Sequence, residues 1–563
     1  MIVLGIWDGH DSGAALVCDN EIRFATNEER LTRRKLEVSF PQRSIQAALD
    51  HERLPANAVD AIAVSTSDLS KTLHRFFPGF KEQYYQLRRR QKLPTGVRRF
   101  QKLNKYWLTE FGGSWLTRSL SELAIRRWLR TAGLSRHPLR FVDHHLCHAA
   151  AAAFTSPFDR CLVVTLDGLG DGLSASLSIF AAGRLRRIAA IPARTSFGIF
   201  FEHVTNLMNM RELEDEGKVM ALADYASPVP DDENPLVRFF AIDGLAIRAR
   251  FGSLAMHREL ARVLYRVPFE QFAFMAQRAL EKWVVEWVAN ALQRTGERNV
   301  ALAGGVASNI KVNRLLRNMD AVDDCWVFPH MGDGGLALGA AIWETHTRTQ
   351  FPRFALESAQ LGQNFRDDEI ECALRTAQLP FSTPPDLAAR AAAAIAAGGI
   401  VFWFQGRSEL GPRALGGRSI LARPDSPAIK DALNLKLKKR VRRQPFCPSI
   451  LEADAQEAFE DAKGRPNRFM TMGYMVKPEW RDRLAGVINI DGSCRPQIVD
   501  REPPLFAELL QEMKRRTGVG ALLNTSFNRH GEPMVNSPAD AVRAFAEMEA
   551  DALVIGRCLV TRR

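Results

Sequence analysis

The apolar positions of the chain fall into short runs, and the order of those runs repeats. Residues 2–7 (Ile-Val-Leu-Gly-Ile-Trp), 14–18 and 22–26 read as strands, the first two joined by Asp8-Gly-His-Asp-Ser-Gly13. The same succession returns later, with strands at 161–166, 174–180 and 185–191 and the turn Asp167-Gly-Leu-Gly-Asp-Gly172 between the first two. Short apolar runs punctuated by Asp-Gly are hairpin signals, and their recurrence predicts two duplicated lobes facing a cleft. Another strand is expected at 61–66. The alanine run in Val142-Asp-His-His-Leu-Cys-His-Ala-Ala-Ala-Ala-Ala-Phe154 predicts a helix, and Ala303-Gly-Gly-Val-Ala-Ser-Asn309 reads as a strand, a diglycine loop and a helix start. A polar connection at 345–357 separates this N-terminal domain, residues 1–350, from an α+β domain at 358–563. In the second domain a helix is expected at 387–397, with a helix at 539–548 and a strand at 552–555 closing it.

Composition sets bounds. A chain of 563 residues with 46% hydrophobic content holds at least two domains with substantial cores. No apolar run approaches the roughly 20 residues of a membrane helix. The first residues meet Asp8 at once and carry no basic region, unlike a signal peptide. The 8 cysteines are scattered with no Cys-x-x-Cys pair, which suits a reducing, cytoplasmic setting.

Charge changes the picture in one place. Between residues 71 and 140 there are 17 Lys or Arg against 3 Asp or Glu, an excess of 14 that exceeds the +12 of the whole chain. Many aromatic residues share this stretch, which reads as a helical insertion at about 67–138. Three readings stay open: solvated basic helices with aromatic undersides, a recognition insert for an acidic or glycolipid acceptor, and a nucleic-acid surface. Nothing here resembles a known nucleic-acid-binding module, so no nucleic-acid partner is expected.

The candidate chemistry is densest in the last third of the chain. Gly406-Arg-Ser-Glu-Leu-Gly-Pro-Arg-Ala-Leu-Gly-Gly-Arg-Ser-Ile-Leu421 places Arg407, Arg413 and Arg418 in a loop with too many helix breakers to be helical. Planar guanidinium groups near exposed backbone N–H groups are a phosphate-binding device. A basic stretch at 434–443, then Arg495, then Ala521-Leu-Leu-Asn-Thr-Ser-Phe-Asn-Arg-His-Gly-Glu-Pro533 extend one polar ligand site. In the N-terminal half, His144 and His148 stand at i and i+4 on one helix face, a spacing that lets two imidazoles share an ion. Asp333, in His330-Met-Gly-Asp-Gly-Gly335, is a candidate third ligand, and such a set suits iron or zinc better than magnesium. Ordinary packing histidines are the alternative. His145 and Cys147 lie off that face and are expected to pack. His10, beside Asp8 and Asp11, is the candidate general base, with a turn histidine bonded to its neighbours as the alternative.

These motifs resemble the O-carbamoyltransferase family that includes nodulation-factor, tobramycin and cephalosporin carbamoyltransferases, over nearly the whole chain. The resemblance implies a duplicated α/β domain of the actin and sugar-kinase type, followed by an α+β domain like threonylcarbamoyl-adenylate synthase. It implies that carbamoyl phosphate and ATP, the latter with Mg2+, give carbamoyl-adenylate and pyrophosphate, and that the carbamoyl group then passes to a hydroxyl-bearing acceptor. Arg413, Arg418, Lys438, Arg440, Arg495, Asn524 and Ser526 would hold the two phosphorylated substrates. Asp167, Gly168, Glu216, Lys218, Gly304, Gly305 and Asn309 would surround the adenylate. His144, His148 and Asp333 would bind a divalent metal, Fe2+ before Zn2+, and His10 with Asp8 would activate the acceptor hydroxyl. Val441 departs from an acidic residue and Gln444 from the Arg or Met common in relatives. A homodimer is compatible with the sequence. Two rival readings are a fused threonylcarbamoyl-tRNA enzyme and a non-enzymatic nucleotide-dependent module; the acceptor is not named by the sequence.

Overall fold

A computed structural model describes residues 1–90, 108–439 and 444–562. The chain divides into two compact units, residues 1–28 with 36–356 and residues 29–35 with 357–563.

In the first unit β1 (Ile2–Trp7), β2 (Gly13–Cys18), β3 (Glu21–Asn27), β4 (Ala61–Ser65) and β5 (Leu139–Val142) form one sheet in the order β3-β2-β1-β4-β5. A second sheet uses β6 (Arg160–Gly170), β7 (Leu173–Ala181) and β8 (Arg184–Pro192) with β11 (Asn299–Ala303) and β12 (Asp324–Val327). Its order, β12-β11-β6-β7-β8, matches the first strand for strand. In both, a hairpin turns antiparallel to the leading strand, and two later strands add parallel on its other side. The side strands β9 (Phe240–Asp243) and β10 (Ala246–Ala249) form a separate hairpin.

Small side chains decide how the two sheets are layered. The Leu336–Thr349 helix packs on the first sheet, the His144–Thr155 helix on the second, and the two helices pack on each other. A Cβ at Gly339 would lie 2.1 Å from the Cys147 carbonyl oxygen, and one at Gly5 would lie 2.0 Å from that of Ala337. The backbones therefore touch, which the run from Ala149 to Ala153 permits and larger side chains would prevent.

Among the described residues, the α-helices Leu69–Phe76, Pro78–Arg88 and Trp115–Leu129 lie between β4 and β5. They differ from solvated basic helices in one respect. Lys71, Arg75, Lys81, Arg88 and Arg89 are buried and pair with carboxylates or carbonyls of the same unit.

The second unit is built on a seven-stranded sheet. It contains β13 (Val401–Phe404), β14 (Arg418–Ala422), β15 (Cys447–Leu451), β18 (Gln497–Val499), β19 (Ala521–Ser526), β20 (Ala552–Ile555) and β21 (Cys558–Thr561), in the order β18-β15-β19-β14-β13-β20-β21. A short ribbon pairs β16 (Tyr474–Met475) with β17 (Ser493–Cys494). The Leu387–Ala396 and Pro504–Thr517 helices cover one face, burying Ala391, Ile395, Leu509 and Leu510 against Val401, Trp403, Leu522 and Val554. Residues 29–35 join this unit through Arg30, which donates to the Gly411 carbonyl at 2.7 Å, and Arg33, which donates to that of Pro533 at 2.9 Å. No described helix is long and apolar enough to cross a membrane.

Candidate active sites

In the first unit the strand-end turns and the alanine-rich helix bring four ligand-type side chains together. Ligand atoms of His144, His148, Asp167 and Asp333 all lie within 4.8 Å of one another. His144 Nε2 is 3.1 Å from Asp167 Oδ2 and 3.5 Å from Asp333 Oδ1, and His148 Nε2 is 3.6 Å from the same Asp333 oxygen. Both histidines are buried, and His148 Nε2 has no hydrogen-bond partner. Burial opposes charge on His144, yet Asp333 and Asp167 outweigh it and raise its pKa to about 9. The pocket thus favours positive charge. Two imidazoles and two carboxylates fit a divalent transition ion, and the unpartnered buried nitrogen is the feature a metal would satisfy. His145 donates or accepts at Thr165 Oγ1 over 2.8 Å, and burial lowers its pKa to about 3, so it packs as a neutral ring.

His10 stands beside this group. Its Nδ1 lies 3.5 Å from Asp333 Oδ2 and 3.3 Å from the Tyr85 hydroxyl. Burial pushes the Tyr85 phenol well above its ordinary value, so it stays protonated. Asp8 serves a different neighbour from the one its sequence position suggests. Its carboxylate takes a bidentate pair from Arg75 at 2.8 and 3.0 Å, with Lys71 Nζ at 3.5 Å, while Lys81 donates to its backbone carbonyl. Burial opposes the Asp8 charge, but Arg75, Lys71 and Lys81 hold its pKa well below the carboxylate range. Lys71 also lies over the Trp7 ring at 3.8 Å. Asp11 lies 3.4 Å from His330 Nε2. The charges facing His10 from a distance in sequence are thus Asp333's, and Asp8 anchors the helices that carry Tyr85.

The expected nucleotide residues divide. Gly304 has φ +97°, and a Cβ there would meet the Leu166 carbonyl oxygen at 2.2 Å. Gly305 N donates to Asp167 Oδ1 at 2.8 Å, so the diglycine loop abuts the metal-type pocket. Gly168 faces Glu202. Glu216 is held by the Leu213 N–H at 2.7 Å, and burial raises its pKa to about 8. Lys218 pairs with Asp215 at 2.8 Å. The Asn309 amide exchanges two hydrogen bonds with Gln277 and caps the Ile310–Arg317 helix at Val312 N.

In the second unit the arginine loop is organised by Glu409, a buried carboxylate. Its Oε1 accepts from the N–H groups of Leu415, Gly417 and Arg418. Arg418 lies under the loop with its guanidinium 3.6 Å over the Phe404 ring and Nη1 on the carbonyls of Gln405, Gly406 and Gly417. Its Nε and Nη2, like Arg413 Nε and Asn524 Oδ1, are buried with no hydrogen-bond partner. Burial, and for Arg413 the neighbouring Arg495, lower both guanidinium pKa values to about 9, so both stay charged at neutral pH. Arg495 donates to Cys447 Sγ at 3.2 and 3.0 Å, and Asn524 Nδ2 donates to the Ala414 carbonyl at 3.1 Å. Lys438 Nζ donates to the Asn528 carbonyl at 2.8 Å and to its Oδ1 at 2.9 Å, and it also bonds the Ser526 carbonyl. The ends of β14, β15 and β19 therefore gather this set. Arg407 turns away, donating to the carbonyls of Leu361 and Gly362. Arg440 lies outside the described residues.

Comparison with known proteins decides the family. A carbamoyltransferase N-terminus description matches residues 2–342 and a carbamoyltransferase C-terminus description matches residues 392–562. The chain belongs to the carbamoyltransferase family. It is similar to nodulation protein NolNO of Sinorhizobium fredii, 33% identical over 98% of this chain and 79% of that one. It is also similar to nodulation protein NolO of Bradyrhizobium diazoefficiens, 34% identical over 75% of this chain and 79% of that one. Among solved structures, component A of the (R)-2-hydroxyglutaryl-CoA dehydratase of Acidaminococcus fermentans aligns with 61% of this chain and 97% of its own, at 14% identity and a TM-score of 0.35.

As a carbamoyltransferase, this chain holds three features that reading by motif missed. Asp167 joins the metal-type pocket as a fourth member; its signal was present, since it occupies in the second repeat the place of Asp8 in the first. Glu409 orders the arginine loop. Tyr85 meets His10 from a segment 75 residues away, and no local pattern marks it. One consequence can be checked directly. For an ion held in this pocket, His148→Ala is expected to lower the metal retained per chain roughly tenfold or more, because it would remove a ligand rather than a supporting contact. Elemental analysis of the purified protein reads this, and unchanged metal content would place the ion elsewhere.

Proposed function

We propose that this carbamoyltransferase is an ATP-dependent O-carbamoyltransferase working in two steps. In the second unit carbamoyl phosphate and water give carbamate and inorganic phosphate, and a carbamate oxygen then attacks the α-phosphate of ATP, with Mg2+, giving carbamoyl-adenylate with release of pyrophosphate. The first unit passes the carbamoyl group to a hydroxyl of a small-molecule or glycan acceptor and releases AMP. The observation that carries the reading is the pair of guanidinium groups Arg413, half-buried, and Arg418, fully buried, each with buried nitrogens that have no hydrogen-bond partner. A guanidinium whose buried nitrogens lack partners calls for an acceptor, and phosphate oxygens match its fork. Arg495, Lys438, Asn524 and Ser526 border the same loop and would orient the two phosphorylated substrates.

In the first unit His144, His148, Asp167 and Asp333 would hold a divalent ion, iron in our reading, with zinc the alternative. When bound, such an ion supplies charge stabilisation for a phosphate oxygen. The rest falls to the protein. With its Nδ1–H directed at Asp333, His10 presents a basic lone pair on Nε2 to the acceptor hydroxyl and takes its proton as the carbonyl carbon is attacked. The diglycine loop at Gly304 and Gly305 allows close backbone approach of the adenylate, and Glu216 and Lys218 would border it.

The test is pyrophosphate release from ATP with no acceptor present. Release that requires carbamoyl phosphate, and falls about 100-fold or more in Arg413→Ala, supports the reading; loss of one bidentate charged contact commonly costs ~3 kcal/mol. Release that ignores carbamoyl phosphate but responds to threonine and bicarbonate would replace it with the tRNA-modifying alternative.

A further inference from the structure

The described helices between β4 and β5 carry large apolar residues on their outer side as well as their inner one. The Leu69–Phe76 and Trp115–Leu129 helices meet through hydroxyls: Thr72 Oγ1 lies 2.8 Å from Ser121 Oγ, and both residues are buried. Thr117 is buried on the same helix face as Ser121. Ile125 and Leu129 are buried beside them, but several large apolar residues take the outer side. Leu116, Leu120 and Leu123 follow one another at helical spacing and are 51%, 39% and 64% exposed. Trp115, at the helix start, is 79% exposed, and Phe77 and Phe80, at the start of the Pro78–Arg88 helix, exceed half. Of the 16 large hydrophobic residues exposed among the described residues, 10 lie between Leu73 and Trp128. Exposed hydrophobics on a soluble surface are normally scattered singly, so a concentration of this kind marks something that covers it.

Charge identifies what that is. Arg118, Arg127, Arg130 and Arg136 are exposed around the leucine stripe, whereas Glu110 is the one exposed acidic residue among described positions 108–140. A second copy of the chain would bring the same arginine excess against itself. A nucleic acid would answer the arginines but not the leucines and phenylalanines. Leucine, tryptophan and phenylalanine standing out from a helical surface, with arginines interleaved, suit the interface of a bilayer, where the rings and aliphatic chains enter the acyl boundary and the guanidinium groups meet anionic headgroups.

We propose that these helices form a peripheral docking surface for an anionic lipid bilayer. Such docking holds the first unit at the membrane, where hydroxyl groups carried on membrane-bound molecules are within its reach. It does not rest on the two-step reading above, and its test does not involve catalysis.

The full chain is sedimented with vesicles of phosphatidylcholine alone and of phosphatidylcholine with phosphatidylglycerol. Binding is expected to the anionic vesicles, at least tenfold tighter than to neutral ones, and to weaken with added salt. Arg127→Gln with Arg130→Gln is expected to weaken it about 30-fold, from ~1 kcal/mol for each basic residue at such a surface. Leu116→Gln with Leu123→Gln is expected to weaken it at least tenfold; both positions are exposed, and an unchanged melting temperature verifies the fold. Absence of binding to anionic vesicles, or equal binding by the leucine double variant, overturns the proposal. So does a dimer seen by light scattering that the leucine variant dissolves without any vesicle binding, which would assign the surface to a second copy.

Discussion

Replacing His10 by alanine is expected to slow carbamoyl transfer to an acceptor about 10²–10⁴-fold, while carbamoyl phosphate-dependent pyrophosphate release stays within about twofold. The expectation follows from where the imidazole lies. It belongs to the first unit, against Asp333 and Tyr85, and the guanidinium groups assigned to the phosphorylated substrates belong to the second. A hydroxyl is a weak nucleophile until its proton is being removed, so loss of the base strikes transfer alone. Measuring both half-reactions on the same preparation makes the test sharp. Equal loss of pyrophosphate release would mean that His10 supports adenylation or the fold, and the assignment as base would fall. Tyr85→Phe provides a graded companion. It removes only a hydroxyl 3.3 Å from Nδ1 and is expected to lower kcat several-fold with KM little changed, since it acts through His10 rather than on the acceptor.

The second large effect is on stability. Asp8→Asn is expected to cost about 3–5 kcal/mol, because it leaves Arg75 and Lys71 buried without their shared carboxylate. Denaturant unfolding measures this as a drop in midpoint with unchanged slope. Asp8 has a folded-state pKa depressed below the ordinary ~3.9, so its contribution is present above about pH 4–5 and is lost as pH falls toward the depressed value. The gap between wild type and Asp8→Asn is therefore expected to be full at neutral pH and to narrow below about pH 4, as the carboxyl of the unfolded chain takes up a proton while the folded one stays ionised. A gap independent of pH down to the acid transition would show that the ion pair is not the source of the effect. Replacing Asp8 and Arg75 together is expected to cost less than the sum of the single changes, as for any pair in direct contact.

This places Asp8 differently from its motif. Read along the chain, Asp8 and His10 share a turn and look like one catalytic unit. In the folded molecule Asp8 secures the Leu69–Phe76 helix, and the Pro78–Arg88 helix next to it delivers Tyr85 to the imidazole. The basic insertion follows the same logic. Its charge is legible in the sequence, but its division is not: Lys71, Arg75, Lys81, Arg88 and Arg89 point inward to carboxylates and carbonyls, and other arginines and the leucine stripe point out. Helical period alone suggests the reverse, since it assigns apolar residues to the interior by default.

What the sequence determined by itself is whatever depends on short separations. The strand–Asp-Gly–strand repeat fixes the duplicated sheets, because strand and turn preferences act over a few residues. Similarly, the i, i+4 spacing of His144 and His148 fixes a shared face, and the five helix breakers of the arginine loop fix its irregular course. Tertiary structure decided which charge meets which. Asp8 and Asp167 open the same Asp-Gly in the two repeats, Asp8 just after β1 and Asp167 within β6, yet one neutralises Arg75 and Lys71 and the other faces His144. The reason is physical. A carboxylate withdrawn from water must find a cation, and the cation that reaches it is delivered by chain segments that no local pattern ties to it: an insertion some 67 residues away for Asp8, and a helix 23 residues earlier for Asp167.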